Sequence, residues 1–242
     1  MTTTNNSRPI VLIPGHWLGA WAWDDVVEHL ATDDTHAVAM TLPGLDADDA
    51  ERAAKTVDDQ AAAIRDAIAE QGDQPVILVA HSGANGPVSL VLDRHPELVA
   101  RVVWVDSGPV ADGAAFASEF RAELEDLPLP SFDDLGQKAS LEGLSTETLE
   151  RFRTKAVPEP ALVLRQSVEL TNEARNSVLT TLVCCSISGE QVMKLAKAGH
   201  PMFAEVANLE RVDVVDLPTG HWPMWSRPRE LAEIIRAASQ TS

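Results

Sequence analysis

Short apolar runs alternate along the chain with segments in which apolar residues recur at helical spacing. Six runs predict buried strands, and they are Pro9–Ile13, His36–Met40, Pro75–Ala80, Arg101–Val105, Val178–Ser186 and Val212–Leu217. Four segments predict helices, and they are Trp23–Ala31, Val57–Gln71, Ala84–Arg94 and Arg229–Ala238. Strands that alternate with helices form parallel sheets with helices on both faces. The pattern therefore predicts an α/β fold with a mostly parallel sheet of about six strands flanked by helices.

One stretch breaks this alternation, from about Ala111 to Asn176. It has a helical pattern and is rich in Glu, Leu and Pro, as in LEDLPLPSFDDL and AVPEPALVL. We expect it to form a helical cap inserted between two strands of the sheet. No polar linker divides the chain into independent parts, so residues 1–242 are expected to form a single domain.

The charge of the chain narrows the range of partners. Acidic residues outnumber basic residues by 37 to 19, which gives a formal net charge of -18. Such a surface repels nucleic acid phosphates and anionic membranes, so neither is an expected partner. Hydrophobic residues make up 45% of the chain and charged residues 23%, as in ordinary soluble domains. A small molecule is the expected partner, and the oligomeric state stays open.

The amino-terminal segment Met1–Arg8 is polar and lacks the basic start, apolar stretch and cleavage site of a secretory signal. No apolar run approaches the roughly 20 residues that a membrane-spanning helix needs. A cytoplasmic location is therefore expected. Cys184 and Cys185 are adjacent, and adjacent side chains on a strand point to opposite faces. They are accordingly predicted to be buried structural thiols rather than part of a disulfide framework.

Ser82 lies between the predicted strand PVILVA and the predicted helix that follows. The order strand, tight turn, helix is typical of a nucleophile elbow, in which a sharp turn presents a serine hydroxyl at the sheet edge. The turn needs small residues two positions before and after the serine, and Ala80 and Ala84 stand there in place of the usual glycines. A serine after a strand can also be only a helix cap, so the rest of the site must distinguish the two roles.

A nucleophilic serine needs a base, and His221 follows the last predicted strand on a loop at the same edge of the sheet. A carboxylate must in turn orient the histidine. Asp106 ends the strand RVVWV at that edge and gives the chain order Ser, Asp, His. Glu190, after the strand TLVCCSIS, is the alternative acid, and Asp106 is favoured. The non-catalytic interpretations are a structural loop histidine and a turn-forming aspartate.

The developing oxyanion needs preorganised donors, usually one backbone amide after the nucleophile and one from the loop after the first strand. Those amides would belong to Gly83 and His16. The His16 side chain could also meet substrate, although packing in a pocket wall is the simpler role. Trp17 and Trp222 lie near predicted strand ends and are candidates for the wall of a pocket that suits a hydrophobic substrate. No metal site and no cofactor are expected, because no clustered ligands or phosphate-cradling glycine loop occur in a suitable context.

These segments resemble the methylesterase and hydroxynitrile lyase branch of the α/β-hydrolase superfamily. IPGHWLGAWAW is similar to that branch's HGAxHGAWxW, and GHWPMWSRPREL is similar to its DHMxMxSxPxEL. The resemblance therefore covers both ends of the chain and the elbow, whereas the predicted cap diverges. It implies the α/β-hydrolase fold, with Ser82 and His221 as catalytic residues and His16 and Gly83 as oxyanion donors.

The chain departs from this branch at two places. The family aspartate falls on Ser188, although some dehalogenases and cofactor-free ring-cleaving dioxygenases of the superfamily carry the acid after the preceding strand, where Asp106 lies. The lysine that follows the histidine in hydroxynitrile lyases is replaced by Trp222, which disfavours cyanohydrin cleavage. Haloalkane dehalogenases and epoxide hydrolases use an aspartate nucleophile, so Ser82 disfavours those activities.

The expected activity is hydrolysis of a small carboxylic ester, thioester or lactone through an acyl-enzyme intermediate on Ser82. One alternative is a cofactor-free dioxygenase or lyase, in which His221 and Asp106 act as a dyad and Ser82 only hydrogen-bonds the substrate. A further alternative is a non-catalytic, ligand-binding homologue of hydrolases, which the serine at position 188 suggests.

Overall fold

The computed structural model describes residues 8–31 and 35–240, and its strands form one large sheet and one small one. The strands in these residues are β1 (Ile10–Ile13), β2 (Ala37–Ala39), β3 (Val76–His81), β4 (Val99–Val105), β5 (Asp126–Leu127), β6 (Glu159–Pro160), β7 (Leu179–Cys184) and β8 (Val212–Asp216). Six of them form a sheet in the order β2-β1-β3-β4-β7-β8, in which every neighbouring pair is parallel. The predicted α/β fold with a parallel sheet is confirmed.

Helices cover both faces of this sheet. Within the described residues they are α1 (Asp24–Leu30), α2 (Val57–Ala69), α3 (Asn85–Arg94), α4 (Phe132–Gly136), α5 (Thr146–Lys155), α6 (Ala161–Arg165), α7 (Gly189–Lys197), α8 (Pro223–Ser226) and α9 (Pro228–Gln240). Apolar residues of α2, α3 and α7 belong to one core cluster, and those of α1, α8 and α9 belong to another. The two clusters lie on opposite faces of the sheet.

Both faces of the central strands are buried, which explains their continuous apolar sequences. Successive residues of a strand point to opposite faces. Val11 and Ile13 of β1 accordingly enter the cluster under α2 and α3, whereas Ile10 and Leu12 enter the cluster under α1 and α9. Every residue of β3 is buried as well, so the strand that leads to Ser82 is fixed on both sides.

The segment predicted to form a cap, residues 111–176, contains α4, α5 and α6 together with the antiparallel pair β5–β6. Backbone hydrogen bonds tie it to loops at the carboxyl edge of the parallel sheet. The Val157 amide donates to the Trp17 carbonyl at 3.1 Å, and the His221 amide donates to the Ser140 carbonyl at 2.8 Å. The segment is therefore joined to two of the loops that carry candidate site residues.

Helix α7 is the main element of the sheet region that periodicity does not predict. Ser188 caps its amino terminus by accepting a hydrogen bond from the Gln191 amide.

Cys184 and Cys185, at the end of β7, are both buried and free. Burial raises the pKa of the Cys184 thiol to about 11, so it stays protonated at neutral pH.

The sequence analysis made two predictions that bear on cellular location, one about a secretory signal and one about membrane-spanning helices. Residues 1–7 of the polar amino-terminal segment lie outside the described ranges. Among the helices of residues 8–31 and 35–240, none is both long enough and apolar enough to cross a membrane.

Candidate active site

Ser82 lies at the apex of a sharp turn between β3 and α3. Its φ of 50° is in the left-handed region, which non-glycine residues rarely adopt. Ala80 and Ala84, two positions away on either side, are fully buried, so larger side chains would not fit there. A Cβ atom at Gly15 would lie only 2.8 Å from the Cβ of Ser82, which explains the glycine on the adjoining loop. The turn has the geometry of the predicted nucleophile elbow.

His221 lies on the loop between β8 and α8 and faces the serine. Its Nε2 atom is 2.8 Å from the Oγ of Ser82. Gly220 lets this loop pass close to the segment 111–176, since a Cβ there would lie 2.5 Å from the Glu142 carbonyl oxygen. Together with the bond from the His221 amide to Ser140, this close passage fixes the main chain of the histidine.

Asp106 follows β4 and pairs with the other side of the imidazole. Its Oδ2 atom lies 2.6 Å from Nδ1 of His221. Because a carboxylate oxygen only accepts, Nδ1 carries the hydrogen and Nε2 presents its lone pair to the serine hydroxyl. Asp106 also has a positive φ, 45°, which aims its side chain along this edge of the sheet. The structure thus brings Ser82, His221 and Asp106 into one chain of hydrogen bonds.

The carboxylate of Asp106 is held by groups at the end of β7 as well. Oδ1 accepts from the amides of Cys185 at 3.1 Å and Ser186 at 2.9 Å, and Oδ2 accepts from the Ser186 hydroxyl at 2.6 Å. Burial alone would raise the pKa of this carboxyl, but the bonds from His221 and Ser186 outweigh it and lower the pKa to about 2. Asp106 is therefore ionised at neutral pH.

The structure places the alternative acid positions elsewhere. Glu190 is exposed in the first turn of α7, and Ser188 caps that helix. The side chain beyond β7 that does touch Asp106 is that of Ser186, two residues after the strand ends, and the sequence reasoning missed this residue. Its one available signal was its place directly after an apolar strand, where side chains of a parallel sheet reach the carboxyl edge.

His81, another residue that the sequence reasoning left without a role, lies buried beside the imidazole of His221. Its Nε2 atom is 2.8 Å from the His221 carbonyl oxygen, and the two ring centroids are 4.9 Å apart. Burial, and then the proximity of His221, lower the pKa of His81 to about 3. His81 is therefore neutral at physiological pH and donates from Nε2 to a carbonyl that can only accept.

The two residues predicted to supply oxyanion amides lie against each other. The His16 ring is buried directly over Gly83, so that a Cβ at position 83 would collide with the Cδ2 and Nε2 atoms of the ring. His16 Nδ1 lies 2.9 Å from Oε2 of Glu159, a buried residue of β6. The sequence reasoning did not single out Glu159, although an acid between two prolines in an apolar stretch is unusual.

The two tryptophans proposed for a pocket wall are both largely buried. Trp222 packs edge-on against the His221 ring, with centroids 4.9 Å apart, and also contacts Phe152. Trp17 has a φ of 65°, and its indole nitrogen donates to the Leu127 carbonyl at 3.0 Å. Trp222 thus packs against the His221 ring, and Trp17 joins the β1 loop to β5.

The fold and this arrangement of serine, histidine and aspartate define a class of protein. The family described as "Alpha/beta hydrolase family" matches residues 10–234, and the chain belongs to that family. Within it, the chain is 23% identical over 262 residues to putative methylesterase 14, chloroplastic, from Arabidopsis thaliana. That match covers 96% of this chain and 72% of the relative. The resemblance to the methylesterase branch is confirmed.

Solved structures share the whole fold. An extracellular alpha/beta-hydrolase from a Paenibacillus species superposes with a TM-score of 0.76 at 20% identity, covering 97% of this chain and 100% of that one. Polyneuridine aldehyde esterase gives a TM-score of 0.73 at 17% identity, with coverage of 97% and 100%. Tomato methylketone synthase I in complex with 2-tridecanone gives 0.72 at 15% identity, with coverage of 96% and 98%.

Proposed function

We propose that the protein hydrolyses small carboxylic esters, thioesters or lactones through an acyl-enzyme intermediate on Ser82. The observation that carries the proposal is the continuous chain of hydrogen bonds from Ser82 Oγ through His221 to Asp106, with distances of 2.8 Å and 2.6 Å. This is the arrangement that activates a serine for attack on a carbonyl. The methylesterase names of its relatives support an ester as substrate.

In the first half of the reaction, Nε2 of His221 takes the proton of Ser82 as Oγ attacks the carbonyl carbon. The carbonyl π electrons move to the oxygen and give a tetrahedral oxyanion. Asp106 stabilises the imidazolium that forms. When the intermediate collapses, the bond to the leaving alcohol or thiol breaks, and His221 gives its proton to that group.

In the second half, water enters where the leaving group was. His221 takes a proton from it, hydroxide attacks the acyl-Ser82 carbonyl, and the serine leaves with the proton from His221. The products are a carboxylic acid and the regenerated enzyme, so water is the only co-reactant. The backbone amides of His16 and Gly83 stabilise the oxyanion in both halves.

Residues 111–176 are proposed to cap the site and to bound the acyl and alcohol pockets. Their bonds to the loops that carry Trp17 and His221 support this role. The apolar 2-tridecanone held by methylketone synthase I supports a hydrophobic small molecule as ligand in this fold. Trp17 and Trp222 would contribute apolar surface near the reacting carbonyl.

Labelling with a fluorophosphonate probe, followed by peptide mass spectrometry, tests the proposed nucleophile. We expect an adduct on Ser82 in the wild-type protein and in Ser177→Ala, a matched change of an exposed serine near the far end of β7. Ser82→Ala should abolish labelling, and His221→Ala should slow it strongly because the hydroxyl loses its base. The same variants are then assayed on methyl and 4-nitrophenyl esters.

The outcomes separate the candidate functions. Labelling and ester turnover that both require Ser82 and His221 support the hydrolase. Turnover that persists in Ser82→Ala and consumes oxygen would support the cofactor-free dioxygenase instead. Substrate binding without labelling or turnover would support the non-catalytic homologue.

A further inference from the structure

A second carboxylate–imidazole pair lies beside the elbow and has no part in the mechanism above. Nδ1 of His16 is 2.9 Å from Oε2 of Glu159, and the two side chains are only 7% and 1% exposed. The same Oε2 atom accepts from the Trp17 amide at 3.3 Å. Because the carboxylate accepts, Nδ1 of His16 must carry a hydrogen, which leaves Nε2 with a lone pair in the neutral ring.

This Nε2 atom is a buried polar atom that lacks a partner. Among residues 8–31 and 35–240, no group forms a hydrogen bond with it. It lies over Gly83, the residue directly after Ser82, where a Cβ would collide with it. Buried polar atoms are almost always hydrogen-bonded in native proteins, so one left unpaired at a reacting centre points to a ligand.

Simple packing does not account for the pair. A phenylalanine at position 16 with an apolar residue at position 159 would fill the same space against Gly83 and Phe116 without burying a carboxylate. Burying a carboxyl group costs free energy, and the observed result of this burial is a bond to Nδ1 that holds the His16 ring in one orientation. The arrangement has the same order of groups as Asp106 and His221, with the outer nitrogen aimed at the elbow.

Phe116 lies against the His16 ring and reaches solvent. Its ring meets the imidazole edge-on at a centroid distance of 4.2 Å, and its side chain is 59% exposed. A largely exposed aromatic ring beside the imidazole offers apolar surface to a ligand that binds there. A ligand that reaches Nε2 would thus carry a hydrogen-bond donor next to an apolar group.

We propose that Nε2 of His16 accepts a hydrogen bond from a hydroxyl on the acyl part of the substrate, so that the enzyme selects esters of apolar 2- or 3-hydroxy acids. The inference rests on the proposed function, because the amides of His16 and Gly83 place the carbonyl oxygen beside this ring. Glu159 acts as a positioning residue by holding Nδ1, and Phe116 covers the apolar substituent.

Paired esters test the proposal. Methyl mandelate and methyl 3-hydroxy-3-phenylpropanoate carry the hydroxyl, whereas methyl phenylacetate and methyl 3-phenylpropanoate lack it. Each kcat/KM is divided by the rate constant of alkaline hydrolysis to remove intrinsic reactivity. We expect the wild-type protein to prefer at least one hydroxy ester over its partner by roughly tenfold or more, the effect of one good hydrogen bond.

Two variants remove the acceptor. His16→Phe keeps an aromatic ring over Gly83 but leaves the buried Glu159 carboxylate without its imidazole partner, so this single variant is expected to be less stable than the wild type. The double variant His16→Phe/Glu159→Leu removes both polar side chains and gives up one further bond, the 3.3 Å contact from the Trp17 amide. It should still fold, because apolar replacement of a whole buried pair is well tolerated. The hydroxy preference should disappear in the double variant, while His29→Phe, at an exposed histidine, should keep it.

Binding to Ser82→Ala keeps the test independent of turnover. Calorimetric affinities for the same esters are compared in Ser82→Ala and in Ser82→Ala/His16→Phe/Glu159→Leu. If the wild type fails to hydrolyse esters but Ser82→Ala still binds the hydroxy ester better and needs His16 to do so, the proposed function fails and the hydroxyl site stands. Equal affinity for hydroxy and deoxy esters, or a preference that survives the double variant, would overturn the hydroxyl site.

Discussion

Nε2 of His81 lies 2.8 Å from the backbone carbonyl oxygen of His221, so the residue before the proposed nucleophile holds the main chain of the proposed base. The bond joins the end of β3 to the loop after β8, which are 140 residues apart in sequence. His81 is fixed relative to Ser82 because it is the preceding residue in the chain. The loop that carries His221 is fixed relative to Ser82 by the hydrogen bond to His81.

We expect His81→Phe to lower kcat/KM for an ester by roughly fivefold, because the loss of one buried hydrogen bond worth about 1 kcal/mol lets the His221 loop move. The ring of Phe fills most of the same volume, so the protein should fold. Steady-state kinetics measure the effect, with His29→Phe as the exposed control. Unchanged kinetics would show that the other contacts of the loop position His221 without His81.

The low pKa of His81 predicts a loss of stability in acid. Burial and the nearby His221 lower this pKa from 6.5 to about 3, so the unfolded chain binds a proton that the folded protein excludes between these values. The contribution of neutral His81 is fully present above pH 6.5 and is lost as the pH falls towards 3. Between pH 6.5 and 5, the wild type should lose roughly 2 kcal/mol more than His81→Phe.

Urea unfolding of both proteins at several pH values measures this difference. Parallel curves for the wild type and His81→Phe over that range would mean that His81 does not resist protonation in the folded state. The comparison cancels the contributions of the other acidic groups and histidines, which the two proteins share.

Asp106→Asn should reduce kcat by roughly 10⁴-fold while leaving the fold intact, because an amide in this place no longer fixes the His221 tautomer or stabilises its charge. Glu190→Gln should change kcat less than twofold, since Glu190 is exposed on α7. The two variants are compared on one ester at saturating concentration. A large loss in Glu190→Gln with little loss in Asp106→Asn would reverse the assignment of the acid.

Ser186→Ala removes the hydroxyl that lies 2.6 Å from Oδ2 of Asp106 but leaves the two amide donors to Oδ1 in place. We expect kcat/KM to fall by about tenfold, in keeping with the loss of one hydrogen bond to a charged group. Ser177→Ala is the matched control. A loss as large as that of Asp106→Asn would mean that the serine hydroxyl is essential to the orientation of the carboxylate.

Gly83→Ala should impair the site through its new methyl group, which would collide with the His16 ring. We expect kcat/KM to fall by roughly fivefold or more, because overpacking costs about 1–3 kcal/mol and is relieved by displacing the ring. Gly86→Ala, three residues further along in helix α3, is the control, since its Cβ would lie 3.8 Å from the nearest atom, in Val57. Recovery of activity in Gly83→Ala/His16→Ala would identify the ring as the obstacle.

The sequence predicts the sheet well because the strands are buried on both faces, and continuous apolar runs report that burial directly. The proximity of Ser82, His221 and Asp106 was predictable for a similar reason, since each follows a predicted strand and the carboxyl ends of parallel strands meet at one edge. Proximity at that edge follows from topology alone.

The partners of these residues could not be found in this way. Glu159 is only 1% exposed because β6 packs on the loop after β1. A strand of two residues is too short to show a hydrophobic periodicity from which this burial could be predicted. The role of Ser186 likewise depends on the positive φ of Asp106, which turns the carboxylate towards β7. Both facts arise from contacts between residues far apart in the chain.

Hydrogen bonds join residues 111–176 to the loops at the carboxyl edge of the parallel sheet. These bonds limit how this segment can be exchanged between related proteins. The His221 amide bonds Ser140, and the His16 imidazole bonds Glu159, so this segment holds both the proposed base and the ring that lies over Gly83. Exchanging it for the equivalent segment of a relative would therefore misalign the reacting groups as well as change the pocket. A chimera of this fold would need its interface residues transplanted with the segment before any new specificity could emerge.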